Sequence, residues 1–229
     1  VRVTAMLRAV IFDLDGTITV LTLPLDAMRS DTKEYYIKRG LPPFLLDPAD
    51  GISSTRVKAR EYFFSQGIDP EEWDRMEREL DALLTKHEES AARGTQLIEG
   101  ALAVVEQVRK MNLKTAILTN NGRQAVDIIL ERLPLERYFD VIQTRNESPN
   151  PKPFPDGILH VLKRLGVPVD EAVYVGDAVI DAVAAKRAGI RFWAVTTGET
   201  DKDELINAGA DKVFDSLSDI LPVLREMVE

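Results

Sequence analysis

The sequence has no cysteine, only two histidines and two tryptophans, and few aromatic residues of any kind (7% of 229 residues). Without cysteine there are no disulfides and no thiolate metal sites, and a reducing compartment is compatible with the chain. His87 and His160 have no companions at ligand spacing, so imidazole supplies neither a metal centre nor an acid/base step. No apolar run approaches the length of a membrane span, and the N-terminal stretch lacks a signal-peptide pattern. The expectation is a cytoplasmic protein with no membrane partner. Positive charge is in deficit: 29 Lys and Arg stand against 38 Asp and Glu, a net charge of −9. That balance argues against nucleic acid as a partner, because non-specific binding relies on neutralising phosphates. It does not argue against a small phosphorylated molecule, which responds to local charge. Internal repeats and low-complexity tracts are missing too. What is present is ordinary soluble composition, 45% hydrophobic and 29% charged, in a chain long enough for one large or two small domains.

The most informative stretch is Ala9–Thr17, AVIFDLDGT. A short apolar run closed by a turn signal predicts a strand buried on both faces. Ligands of open α/β sheets bind outside the carboxyl ends of strands, so Asp13 and Asp15 are expected at the lip of a cleft. Alternation along an extended backbone points both the same way. Two adjacent carboxylates are costly to ionise together unless a cation lies between them. The pair therefore suggests a metal, a nucleophile with an acid/base partner, or both; an ordinary Asp-Gly turn is the plainer alternative.

Downstream, the patterning divides the chain. Ile18–Leu25 is apolar and β-branched and suits a short hairpin or flap. Segments Ala27–Lys38, Ser53–Ser65 and a long run from Asp69 towards Ala92 read as helices, with Trp73, Met76, Leu80, Leu83 and Leu84 at helical spacing. From Leu97 onward strands and helices alternate. Strands are expected at Lys114–Leu118, within Tyr138–Thr144, and at Ala172–Val175, Ile190–Thr196 and Lys212–Phe214. Helices are expected at Gly100–Met111, Gln124–Leu133, Phe154–Leu165, Ala178–Ala188, Lys202–Ala208 and Leu217–Val228, with Gly189 capping the alanine-rich one. Such alternation predicts an α/β fold, a three-layer Rossmann-like core with a mainly parallel sheet. The expected domains are this core, residues 1–20 and 96–229, and an inserted all-helical cap, residues 21–95. Insertion after the first strand predicts a lid over the sheet's carboxyl end.

Three more strand ends carry polar residues. Thr119 and Asn120 close the LTN stretch, a natural place for phosphate oxygens and equally a plain helix N-cap. Lys152 lies between prolines in PNPKPFPD, where its ammonium can be aimed, although most lysines are merely solvated. Asp177 ends an apolar strand in YVGD, and Asp181 follows at a spacing that puts both on one helix face. Asp181 also suits the first turn of a helix on macrodipole grounds alone. Their shared position and order carry more weight than any one of them.

DLDGT, LTN, the lysine of NPKP and VGDAVID together resemble the four motifs of the haloacid dehalogenase superfamily, and the layout resembles its phosphatase-like branch with a helical cap, as in phosphoglycolate phosphatases. The resemblance implies a phosphatase acting on a small phosphorylated metabolite. Asp13 would be the nucleophile and Asp15 the general acid and then base. Thr119, Asn120 and Lys152 would hold the phosphoryl group. Asp13, the Asp15 carbonyl and Asp177 would bind Mg²⁺, with Asp181 supporting the site. Charge neutralisation by a hard cation and a lysine is what lets a carboxylate approach a phosphate. A 2-haloacid dehalogenase would lack the second aspartate of the first motif, a phosphomutase would keep it, and a phospho-acceptor signalling or binding domain would be non-enzymatic. In the helical region, Arg29, Lys33, Arg56, Lys58 and Arg60 are candidates for a second anionic group, or simply charges paired with nearby acids.

Overall fold

Six strands alternate with helices along the chain, and a computed structural model, which describes residues 6–228, pairs all six in one parallel sheet. The strands are β1 (Ala9–Phe12), β2 (Lys114–Leu118), β3 (Val141–Gln143), β4 (Ala172–Gly176), β5 (Arg191–Val195) and β6 (Lys212–Phe214). The helices are α1 (Leu25–Ile37), α2 (Ile52–Ser65), α3 (Pro70–Ala92), α4 (Ala101–Lys110), α5 (Arg123–Arg132), α6 (Asp156–Leu165), α7 (Val179–Ala188), α8 (Lys202–Asn207) and α9 (Ile220–Val228). Two compact units result. Among the described residues, one comprises Leu23–Ala91, and the other comprises 6–22 together with 92–228. Residues 1–5 and 229, assigned to the α/β domain from sequence, lie outside the described residues.

The α/β unit is a Rossmann-like three-layer fold with strand order β3-β2-β1-β4-β5-β6. β1 lies between β2 and β4, in register Phe12 to Ile117 and Phe12 to Val175. Its side chains alternate between two cores. Val10 and Phe12 join the layer of α4, α5 and α9 through Val105, Val126 and Leu224, whereas Ala9 and Ile11 join that of α6, α7 and α8 through Ile158, Ala185 and Leu205. Burial on both faces explains why the strand reads as an unbroken apolar run. Connections run outward to β3 on one side and to β6 on the other, so the order reverses between β1 and β4. That reversal opens a crevice at the carboxyl ends of the two strands.

Local differences from the sequence reading have local causes. β3 is only Val141–Gln143, because Asp140 is drawn off to Thr115: its N–H donates to the Thr115 carbonyl, and its Oδ2 accepts from the Thr115 N–H. The expected flap is not a self-paired hairpin. Thr19 bridges Leu97, the Val20 N–H donates to the Gln96 carbonyl, and the Ile98 N–H to that of Ile18, so the segment pairs with chain about 80 residues away in sequence. The last helix is preceded by a 3₁₀ turn, Leu217–Asp219.

The helical unit has its own core of Met28, Tyr36, Phe63, Trp73, Leu80 and Leu84. Tyr36 stacks on Trp73, with centroids 6.0 Å apart and planes 5° from parallel. The basic candidates of this unit have partners within it. Arg29 pairs with Asp26, Arg56 with Glu77 and Asp81, and Lys58 with Asp50. Lys33 Nζ donates to the carbonyls of Asp47 and Pro48, and Arg60 lies over the Phe64 ring. Among the described residues no helix is long and apolar enough to cross a membrane.

Candidate active site

Asp13 follows β1 directly, and its N–H continues the sheet by donating to the Val175 carbonyl (2.8 Å). Its Oδ1 accepts from the Leu14 N–H (2.8 Å) and from Lys152 Nζ (2.9 Å), whereas Oδ2 accepts no hydrogen bond from the described residues. Asp15 is half-buried; its Oδ2 accepts from Asn121 Nδ2 (2.6 Å). Gly16 then turns the chain with φ +81°, and a Cβ there would fall 2.4 Å from Asp177 Oδ2. Only glycine fits such a turn packed against a carboxylate.

Asp177 closes β4, in the strand next to β1. Its Oδ1 accepts from the Thr17 hydroxyl (3.0 Å) and its Oδ2 from the Glu199 N–H (2.9 Å). The loop after β5 wraps around it: a Cβ on Gly198 would lie 1.8 Å from Asp177 Oδ2, and Thr197 Oγ1 donates to the Gly16 carbonyl (2.6 Å). Asp181, fully buried in the first turn of α7, has both oxygens engaged. Oδ2 accepts from the N–H groups of Asp177 and Ala178, and Oδ1 accepts from Lys152 Nζ (2.7 Å) and the Tyr174 hydroxyl (2.8 Å). Asp181 thus caps its own helix and fixes the lysine.

Lys152 is 2% exposed. Its ammonium donates to Asp13, Asp181 and the Tyr174 hydroxyl (3.0 Å). Its backbone is clamped by Asn120, whose Oδ1 accepts from the Lys152 N–H (3.0 Å) and whose Nδ2 donates to the Lys152 carbonyl (2.9 Å). The Asn120 side chain therefore anchors the lysine loop, and Arg145 Nη1 in turn donates to the Asn120 carbonyl (2.6 Å). Thr119 is buried, and its hydroxyl oxygen accepts from the Asn121 N–H (3.0 Å), which leaves the hydroxyl proton for an external acceptor.

All seven sequence candidates, from four strand ends, thus belong to one connected network. Contributors not singled out from sequence include Thr17, Asn121, Arg145, Tyr174 and Gly198. Tyr174 carried a usable signal, as the one hydroxyl in the apolar strand AVYVG. Asn121 stood beside a chosen residue, and Gly198 gave no signal at all.

The electrostatics are strained in one direction. Burial pushes the Asp13 carboxyl well up, against the pull of Lys152, and Asp181 and Asp177 add to the rise. Burial, and next Asp181, push Asp177 up to about 8. Carboxylate oxygens of Asp13, Asp177 and Asp181 lie within 4.8 Å of one another. A divalent cation would relieve that repulsion, and an all-oxygen donor set suits a hard one. Gly16 and Gly198, lacking a Cβ, let two backbone segments pack directly against the Asp177 carboxylate. The cluster fits a divalent metal.

A family model described as haloacid dehalogenase-like hydrolase matches residues 10–195. The chain belongs to this family. This hydrolase is 29% identical to Phosphoglycolate phosphatase 1 of Pseudomonas aeruginosa, in a match covering 99% of the chain and 83% of that protein. It is 27% identical to Pyrophosphatase PpaX of Bacillus cereus, covering 96% of the chain and 98% of that protein. Among solved structures it resembles a hydrolase from Pseudomonas syringae at 27% identity and TM-score 0.67, covering 97% of this chain and 100% of that one.

Proposed function

We propose that this hydrolase is a Mg²⁺-dependent phosphatase that cleaves the phosphate ester of a small metabolite through an aspartyl-phosphate on Asp13. The observation that carries the reading is the asymmetry of Asp13. Both of its hydrogen bonds fall on Oδ1, so Oδ2 keeps its lone pairs for an electrophile while Lys152 holds the group in place. Aspartate forms covalent intermediates of this kind, splitting one difficult displacement into two easier ones.

In the first step a carboxylate oxygen of Asp13 bonds to phosphorus and the ester P–O bond breaks. Its electron pair goes to the leaving oxygen, which takes a proton from Asp15 and departs as the alcohol. In the second step water attacks phosphorus and gives a proton back to Asp15. The aspartyl P–O bond breaks, restoring Asp13 and releasing phosphate. The Thr119 hydroxyl and the Asn120 N–H are donors for the phosphoryl oxygens. Asp13, the Asp15 carbonyl and Asp177 would hold Mg²⁺, whose positive charge offsets the repulsion between two anions. Asp181 and Tyr174 keep Lys152 aimed. The helical unit, Leu23–Ala91, close to the expected 21–95, acts as a cap that selects the ester's organic part.

Relatives named for phosphoglycolate and for pyrophosphate support a small substrate with a second anionic group, and phosphoglycolate is the first candidate. A cytoplasmic location agrees with such a substrate. The test is phosphate release from p-nitrophenyl phosphate and a panel of phosphorylated metabolites, with and without Mg²⁺. Turnover is expected with Mg²⁺ only, and none from Asp13→Asn. Hydrolysis by Asp13→Asn at the wild-type rate would remove the nucleophile from the scheme.

A further inference from the structure

The reaction scheme needs Asp15 to meet the leaving oxygen, yet Asp15 lies beside a turn, in a single bridge to Thr19, and is only half-buried. A flexible carboxyl would spend much of its time elsewhere, and catalytic groups lose about 10²-fold when misplaced by about 1 Å. Something must fix its direction.

Resting on the phosphatase reading above, we propose that Asn121 is the positioning residue that aims Asp15 at the leaving oxygen. Asn121 is 5% exposed, and its backbone is held on both sides. Its N–H donates to the Thr119 hydroxyl oxygen (3.0 Å), and its carbonyl accepts from the Arg145 N–H (3.0 Å). From that fixed base, Nδ2 donates to Asp15 Oδ2 at 2.6 Å, while Oδ1 of the same carboxyl meets the Thr19 hydroxyl at a looser 3.4 Å. An amide nitrogen only donates, so Oδ2 is kept as an acceptor and Oδ1 becomes the oxygen that gives and takes the proton. Asn121 also ties the proton donor to Thr119, a donor for the phosphoryl group, through a single backbone bond. Phosphoryl oxygens and leaving oxygen are then addressed from one rigid loop.

A consequence separates this role from general support. Breaking the P–O bond to an alcohol requires a proton on the departing oxygen, whereas p-nitrophenolate departs without one. Loss of Asn121 should therefore lower kcat/KM only where Asp15 must donate, because the later return of a proton from water to Asp15 is common to both ester types and does not enter kcat/KM.

The experiment compares kcat/KM, which reports steps through leaving-group departure, for p-nitrophenyl phosphate against two alkyl esters, phosphoglycolate and glycerol 3-phosphate. Asn121→Ala and the volume-keeping Asn121→Leu should each lose about 10²-fold on the alkyl esters. On p-nitrophenyl phosphate both should stay within about 3-fold of wild type, which also reports that they are folded. An equal loss on both ester types makes Asn121 scaffolding and overturns the proposal, as does no loss on either, or a wild type inactive on both alkyl esters. Asp15→Asn runs alongside. If it shows the split and the Asn121 variants do not, the positioning role alone fails. If Asp15→Asn shows no split, the proton-donor role of Asp15 fails and the positioning role falls with it.

Discussion

At the scale of single residues, glycines do as much to shape the site as the charged groups. A Cβ on Gly16, Gly176 or Gly198 would come within 2.4, 2.5 or 1.8 Å of an oxygen of Asp177 or Asp181. Gly198→Ala is therefore expected to push the Asp177 carboxylate out of place, lowering kcat/KM by at least about 10²-fold and weakening Mg²⁺ activation, with the circular dichroism spectrum retained. Gly51→Ala, where a Cβ meets nothing within 4 Å, should leave activity at the wild-type level. Asp13, Asp15, Lys152 and Asp177 were legible because each closes or follows an apolar or proline-bounded stretch, where a charge has no local reason to be. Gly198 was not, because the atom that forbids a larger residue lies 21 positions away in sequence and meets it only in the folded chain.

Among the elements, the 3₁₀ turn Arg145–Glu147 after β3 carries its own capping box. Glu147 accepts from the N–H and hydroxyl of Thr144 and pairs with Arg123 at the start of α5. Partial burial works against its ionisation, yet the Arg123 hydrogen bond, followed by those from Thr144, holds the carboxyl down to about 2. A folded-state value below the unfolded one, about 4.3, gives stability that is present above the unfolded value and lost as pH falls towards 2. Glu147→Gln should thus lower the thermal midpoint near neutral pH, and the gap to wild type should close as pH is taken from about 5 to about 2. A gap that does not change over that range would refute this account. The same turn supplies Arg145, whose backbone and guanidinium hold Asn121 and Asn120. Helices and strands were visible from periodicity, but this turn was not: its polar residues look like any loop until their partners are known.

For the molecule as a whole, cation binding and folding stability are linked. Three buried acids within 4.8 Å repel one another in the folded chain and separate when it unfolds. Mg²⁺ at about 100 times its dissociation constant should add about 2.7 kcal/mol to stability, read as a rise in thermal midpoint that EDTA reverses. Asp177→Asn removes one of the repelling charges, so without Mg²⁺ it should melt higher than wild type and gain nothing when Mg²⁺ is added. An equal Mg²⁺-induced rise in the variant would show that the cation binds elsewhere.

The amino-acid order by itself determined the alternation of elements, the parallel α/β class, the helical insertion and the family, because each rests on local periodicity or on short motifs that survive without their surroundings. Only the tertiary structure decided how the polar atoms are shared. Asn120 is spent on the lysine loop, Asp181 on Lys152 and its own helix, and Asn121 on Asp15. Such assignments depend on hydrogen-bond geometry at about 3 Å between residues as many as 106 positions apart, and that distance is set by strand order and register rather than by any pattern along the chain.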